Sequence, residues 1–417
     1  MRIIGVETEG LGYNNQMRGV IISGAKMRKK KDKVPVSRDA LLKAPDGTML
    51  HPKYFPTNFE ATVQTVVDNY LQSNKVPDFC LLPLDHSHSD TENKDVDTMS
   101  LAIKKAFKAR GHNIKTMVMA SNLYDYKHVD LAHVGKHLLS EKDEQLLKKN
   151  QNLRSKVVLT LGVPSNISWT AIRNFAHYPA AEKVLEKYKS FNKVLDGKLF
   201  YGKDAALNKL KHKKNALFSL GGITDNGTIG FDLNDAKRLI ESALRLEADG
   251  YNVIFTNSPR TPSDVTDYLF EECQAFDMGF FNSKKIAQNA DEAKNFRNYS
   301  GKHKKEFEDQ ASVIGNIYPA VLDVCEFVVN THDSFSYTSD AAVLGIPSVV
   351  YTGNFIDRER RPDCYKLFDL CHKGGYSLSL DEAMEKIERG ETLKTKKMDD
   401  VSTQLIRAMK NSLIPIR

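Results

Sequence analysis

The chain has 417 residues, 41% of them apolar and 27% charged, with a formal net charge of +7 and a pI of about 8.9. That length is too great for one ordinary core and implies two or three domains, and no run of eighteen or more apolar residues is present to span a bilayer. The five cysteines are widely spaced and form no C-x-x-C pair, which argues against a disulfide framework or structural zinc and for a reducing, cytoplasmic setting, and the opening MRIIGVETEG lacks the apolar core of a secretory signal.

Strand and helix patterns alternate along the chain. RIIGVE (2–7) reads as a strand, followed by a glycine-bearing loop with Glu9, Gly10, Gly12, Asn15 and Gln16. Residues 59–73 have helical spacing, and DFCLLPL (78–84) is a buried-strand pattern that ends in Asp85, His86, Ser87 and His88. A helix over 97–110 precedes the strand patterns TMVMA (116–120) and KVVLTLG (156–162). The plan repeats in the second half. There NALFSLGG (215–222), YNVIFTN (251–257), MGFFN (278–282), FVVN (327–330) and PSVVY (347–351) read as strands, with helices over 233–248 and near 263–275. Such alternation predicts an α/β protein with parallel pairing. The charged stretch 283–310 reads as an insertion. A polar, lysine-rich boundary over 195–215 divides a first domain, 1–205, from a second, 206–380, and a helical segment over 381–417 could pack back on the first.

The positive charge is gathered in KMRKKKDK (26–33), KLKHKK (209–214), KHKK (302–305) and KTKK (394–397). These runs read first as solvated faces. If they attract an anionic partner, nucleic acid is the weaker choice, since they lack interleaved aromatics and no binding module accompanies them. An anionic membrane surface or a phosphate-bearing substrate fits equally well.

Polar groups collect where the predicted strands of the second half end. Gly221-Gly222 follows ALFSL and permits close backbone approach to a phosphate or ribose, although such a pair is more often a tight turn. Ser258, Arg260 and Thr261 lie in SPRTP after the next strand and supply hydroxyls, a guanidinium and a helix start, a reasonable phosphate clamp. His332, Asp333, Ser334 and Ser336 stand before a small-residue helix expected to open at Ser339-Asp340-Ala341. A helix N-terminus favours an anion, and Asp340 in its first turn could accept from a sugar diol or simply complement the dipole.

These residues also resemble a family. THDSFSYTSDAAVLGIPSVVY (331–351) is similar to the pattern Thr-x-Asp-Ser-x-Ser, Ser-Glu-Ala, Gly-x-Pro-Val of the mitochondrial-fission ELM family, whose bacterial and plant members look like glycosyltransferases of the GT-B fold. NSPRTP (257–262) is similar to its Ser-Arg-Arg-Thr-Pro, LGGITDNGTIGFDL (220–233) to its Gly-Gly loop followed by Phe-Asp, GLGYNNQMRGV (10–20) to its Gly-x-x-Asn-Gln element, and KVVLTLGVPSNI (156–167) to its Asn-Val-Leu-x-Thr-x-Gly segment. Each motif is moderately specific; their order over roughly residues 3–355 is the stronger signal. Asp340 stands where the family has Glu, Pro259 replaces the first of the paired arginines, and the basic stretch 26–56 has no match.

The resemblance implies two Rossmann-like, doubly wound parallel-sheet domains facing across a cleft, with the acceptor on the first and a nucleotide-diphosphate sugar, a UDP-sugar foremost, on the second. It assigns Gly221 and Gly222 to backbone approach, Ser258 and Arg260 to phosphate, Ser334 and Ser336 to the leaving-group phosphate and Asp340 to the ribose, with Thr261, His332, Asp333 and Ser339 also in the donor site and no metal or other cofactor. The acceptor, whether lipid, glycan or protein, is not disclosed. For a general base the first domain offers Glu9, Asp85, His86 and His88, with Asp85-His86 the preferred pair and a solvated polar loop the competing reading. His86 and His88 have no further ligand at useful spacing, so no metal site is expected. Sugar transfer thus stands beside two alternatives, a non-hydrolysing nucleotide-sugar 2-epimerase and a non-catalytic peripheral membrane or interaction protein with a vestigial cleft.

Overall fold

Short β-branched and aromatic runs, buried on both faces, pair in parallel throughout, and the chain builds two six-stranded sheets from them. The computed structural model describes residues 1–7, 16–21, 41–83 apart from 45, 47 and 49, 90–165 apart from 122 and 125, 214–281 apart from 225, 226 and 259, the single residues 318 and 322, and 325–414. Contacts divide the chain into two units, Met1–Asn166 with Asp399–Arg417, and Ile167–Met398. The boundary expected over 195–215 lies outside the described residues except for 214 and 215, as do the charged stretch 283–310 and the first three lysine runs apart from Lys214.

The first unit contains β1 (Ile3–Val6), β2 (Leu41–Leu42), α1 (Phe59–Ser73), β3 (Phe79–Pro83), α2 (Asp90–Lys108), β4 (Lys115–Ser121), β5 (Leu131–Gly135), α3 (Glu141–Lys149), α4 (Gln151–Lys156) and β6 (Val157–Thr160). Its sheet order is β2-β1-β3-β4-β5-β6. Alternate residues of one strand serve opposite faces, as the pleat requires. Ile4, Val6, Cys80, Leu82, Val118 and Ala132 pack with Val63 and Val67 of α1 and Met99 and Phe107 of α2. Ile3, Phe79, Leu81, Met117, Met119 and Leu131 pack with Met17, Val20 and Ile21 and with Val401, Leu405, Ile406 and Met409. Both faces are covered, so the sheet is doubly wound.

The second layer comes from the chain's far end. The last helix, α10 (Val401–Leu413), is capped by Asp400, whose carboxylate accepts from Ser402 and Thr403 N–H, and its inner stripe completes the first unit's core. The segment 381–417 is therefore shared: α9 (Leu380–Glu388) buries Ala383, Met384 and Ile387 in the second unit, and α10 lies in the first. Leu405 is fully buried, and Leu405→Ala is expected to destabilise the first unit by about 3 kcal/mol, read as a lower urea midpoint at unchanged slope.

The second unit contains β7 (Lys214–Ser219), α5 (Leu233–Ala248), β8 (Tyr251–Thr256), α6 (Ser263–Ala275), β9 (Gly279–Phe281), β10 (Phe327–Thr331), α7 (Phe335–Leu344), β11 (Ser348–Tyr351), α8 (Pro362–Lys373), β12 (Ser377–Ser379) and α9. α5 shows why the helices were readable. Asp232 and Asp235 form a capping box at its start, Ala236, Leu239, Ile240, Ala243 and Leu246 make its buried stripe, and Gly250 at φ +82° follows its end. The sheet order is β12-β11-β10-β7-β8-β9. The chain winds outward from β7 to β9, returns to lay β10 against the other side of β7, and winds outward again. This reversal opens a crevice beyond the carboxyl ends of β7 and β10, where open α/β sheets take their ligands.

Among the described residues, three strands and three helices, α3, α4 and α8, went unread in the sequence. β2 and β12 are only two and three residues long, and β5, LAHVG, carries a histidine at its centre. That His133 is buried, with Nε2 2.7 Å from Thr160 Oγ1 on the neighbouring strand, and burial lowers its pKa to about 3. α3 begins at a Ser140/Asp143 capping box, and α8 follows Pro362. The expected helix over 97–110 in fact starts at Asp90.

Candidate functional site

The loops after β7, β8 and β10 meet at the crevice of the second sheet through one continuous set of hydrogen bonds. Gly221 N–H donates to Thr331 Oγ1 at 2.7 Å, tying the first loop to the end of β10. The hydroxyls of Ser258 and Thr261 both donate to the Gly221 carbonyl, at 2.9 and 2.6 Å, tying it to the loop after β8. Ile223 N–H donates to the Arg260 carbonyl at 3.0 Å, and Ser258 N–H to Thr261 Oγ1 at 2.9 Å. Asp333 closes the set: its Oδ2 accepts from Gly222 N–H at 3.3 Å and from Arg260 Nη2 at 2.8 Å.

The two glycines were expected to clear space for a ligand. They clear it instead for the protein. A Cβ on Gly221 would lie 2.0 Å from Asp333 Oδ2, and one on Gly222 would lie 2.1 Å from the carbonyl oxygen of Arg260. Ser258, assigned to phosphate in the sequence, is buried and its hydroxyl proton goes to Gly221. What faces outward is the Arg260 guanidinium, whose side chain is 42% exposed while that of Asp333 is fully buried.

α7 supplies the second positive element. Ser334 is its N-cap but makes no side-chain cap bond, and no acidic residue stands in the first turn. The terminal N–H groups and the dipole are thus not complemented by a resident carboxylate of the first turn. Ser336 in that turn is exposed. The helix opens at Phe335, four residues before the expected start at Ser339: the Ser/Thr-rich FSYTS run, weak in helical propensity, is carried by tertiary packing. Asp340 therefore sits in the second turn and not the first. It is buried, as are Thr338 and Ser339, and its charge adds to the burial that raises the Tyr337 hydroxyl to about 12 and the Tyr318 hydroxyl well above its usual value.

His332 also turns inward. It is buried between Phe355 and Tyr365, with ring centroids 5.2 and 4.8 Å away, and its Nδ1 lies 3.2 Å from the Tyr351 carbonyl. Nε2 is buried with no hydrogen-bond partner. Burial lowers this imidazole's pKa, against the opposing pull of the Tyr351 carbonyl and Asp333. A lowered folded-state value means the unfolded chain takes the proton first, so stability falls as pH drops below about 6.5 and levels off only below the folded pKa. We expect the fall in melting temperature of the second unit between pH 7 and pH 5 to shrink in His332→Asn, which retains a donor for the Tyr351 carbonyl; an unchanged pH profile would remove His332 from the account. His133 acts with the same sign in the first unit.

The sequence reading missed the support beneath the next loop. Tyr351, at the end of β11, donates its hydroxyl to Asp235 Oδ1 at 2.8 Å, and Gly353 is kept bare by that pair, since its Cβ would lie 2.5 Å from Oδ1. Burial raises both pKa values. The only signal was the acidic spacing of the α5 capping box. Beyond the loop lies an open cavity of about 550 Å³ whose walls include Asn354, Arg358, Tyr365, Phe368 and Asp369, with the Arg358 guanidinium 4.9 Å over the Tyr365 ring.

The proposed base pair Asp85-His86 and residues Glu9, Gly10, Gly12 and Asn15 lie outside the described residues; β1 and β3, whose carboxyl ends flank the reversal of the first sheet, are described to Glu7 and Pro83. Gln16 lies in the helical segment 16–21. All five cysteines are free thiols. Among the described residues, no three His, Cys, Asp or Glu side chains come together as a metal site requires, and no helix is long and apolar enough to cross a membrane.

The chain matches no protein-family model and no curated protein. Among solved structures it is similar to S. aureus MnaA with UDP, at 11% identity and a TM-score of 0.42, over 99% of this chain and 96% of that one. It is similar to Methanocaldococcus jannaschii UDP-GlcNAc 2-epimerase with UDP-GlcNAc and UDP, at 12% identity and a TM-score of 0.35, over 85% and 80%. It is similar too to Phytolacca americana UGT2 with UDP-2-fluoro-glucose and pterostilbene, at 12% identity and a TM-score of 0.37, over 98% and 93%. At such identities and scores the functional reading has to rest on this chain's own residues. Two doubly wound, all-parallel six-stranded sheets make the chain an α/β protein of two Rossmann-like units.

Proposed function

We propose that this chain is a nucleotide-sugar enzyme of the GT-B type that transfers a sugar from a nucleoside-diphosphate sugar, a UDP-sugar foremost, to an acceptor. The observation that carries the reading is the pairing, at the reversal of the second sheet, of an α7 N-terminus free of first-turn carboxylates with the half-exposed Arg260. A cation and aligned N–H groups on rigid loops suit a diphosphate, and they would stabilise the charge that develops on it as the sugar leaves. In this reading Arg260 and Ser336 contact phosphate, while Ser258, Thr261, Gly221 and Gly222 hold Arg260 in place. The acceptor and its base belong to the first unit, with Asp85-His86 the pair to test.

Calorimetric titration of the full chain with UDP, GDP, ADP and CMP, each with and without EDTA, tests this. One diphosphate should bind, and EDTA should leave its affinity unchanged. A folded protein that binds none of the four would remove the donor site, and product analysis with donor alone would separate transfer from epimerisation.

A further inference from the structure

Asp333 is the residue immediately before the α7 N-cap, and its position within the site has a consequence for which phosphate the site prefers. Its side chain is fully buried, and its Oδ2 takes both the Gly222 N–H and the Arg260 guanidinium. Oδ1 is buried with no hydrogen-bond partner. The room for both oxygens exists because Gly221 lacks a Cβ, which would lie 2.0 and 2.1 Å from them. A carboxylate thus already stands beside the cation that a ligand phosphate needs, and a second anion within a few ångströms must share that cation and bear the repulsion.

That repulsion grows with the charge on the phosphate. In a nucleotide sugar both phosphates are esterified and carry one negative charge each. In the free nucleoside diphosphate left after transfer, the terminal phosphate titrates near neutrality and carries nearly two. We propose that Asp333 is a resident counter-anion that sets the specificity of this site, favouring the esterified diphosphate of a nucleotide sugar over the free diphosphate product. The device eases product release without loosening the substrate, and it rests on the nucleotide-diphosphate reading given above.

The test compares UDP and UDP-glucose on wild type and Asp333→Asn by calorimetry, with melting temperatures as the fold check. The isosteric amide keeps the acceptor for Gly222 N–H and removes the charge. Asp333→Asn should bind UDP about tenfold or more tighter than wild type, and the ratio of the two dissociation constants should shift toward UDP by about fivefold or more. An unshifted ratio in a folded variant, with wild type binding UDP, overturns the proposal and leaves the donor site standing. Failure of both proteins to bind either ligand overturns the donor site and the proposal together. Should the variant not fold, wild type decides the matter alone with UDP and its terminal methyl ester: the ester should bind at least as well, and a tenfold preference for UDP overturns the proposal.

Discussion

Arg260→Ala is expected to abolish detectable binding of nucleoside diphosphates and to lower stability by about 2 kcal/mol, because it removes the exposed cation and leaves the buried Asp333 carboxylate without its charged partner. The two effects separate in Arg260→Lys. A lysine restores a charge near Asp333 without the planar fork, so stability should largely recover while binding remains weak. Titration calorimetry and urea denaturation of the two variants give both numbers. Full diphosphate affinity in Arg260→Ala would place the anion elsewhere, and an unchanged denaturation midpoint would mean that Asp333 does not depend on this guanidinium.

Gly222→Ala should be the most disruptive small substitution in the second unit. Its Cβ would lie 2.1 Å from the Arg260 carbonyl oxygen, and the obstruction is backbone, which cannot rotate away as a side-chain end can. The loops after β7 and β8 would have to part, breaking the Ile223 to Arg260 hydrogen bond, at a cost of about 3 kcal/mol or more. Gly230→Ala provides the control. The nearest atom to its Cβ is the Phe355 carbonyl at 3.9 Å, so its cost should stay under about 1 kcal/mol. Equal destabilisation in the two variants would show that the loops are less tightly joined than their geometry indicates.

The fold was legible where periodicity and burial agree. β8, β10, α5 and α6 were placed within a residue and β7 within three, because each is a continuous apolar run or a helical stripe with a buried face. β5 escaped because His133 breaks its apolar run, although the protein buries that histidine against Thr160. In the site, the sequence named the loops that meet but not what each residue does in them. Gly221 and Gly222 looked like room for a phosphate and are room for Asp333 and a carbonyl; Ser258 looked like a ligand and is a strut. His332 and Asp340 fell in the right loop and helix, yet their side chains are buried. Direction is set by tertiary packing, which spacing along the chain does not encode. Arg260 alone of these stays partly exposed, its guanidinium reaching past the buried Asp333 carboxylate.

A crystal structure of the full chain with bound UDP is the most direct test of the central claim. The account predicts the diphosphate at the N-terminus of α7, beside Ser336 and within hydrogen-bond distance of the Arg260 guanidinium, which it shares with Asp333. UDP bound in another part of the chain, or with its diphosphate in contact with neither Arg260 nor the N-terminus of α7, would contradict it.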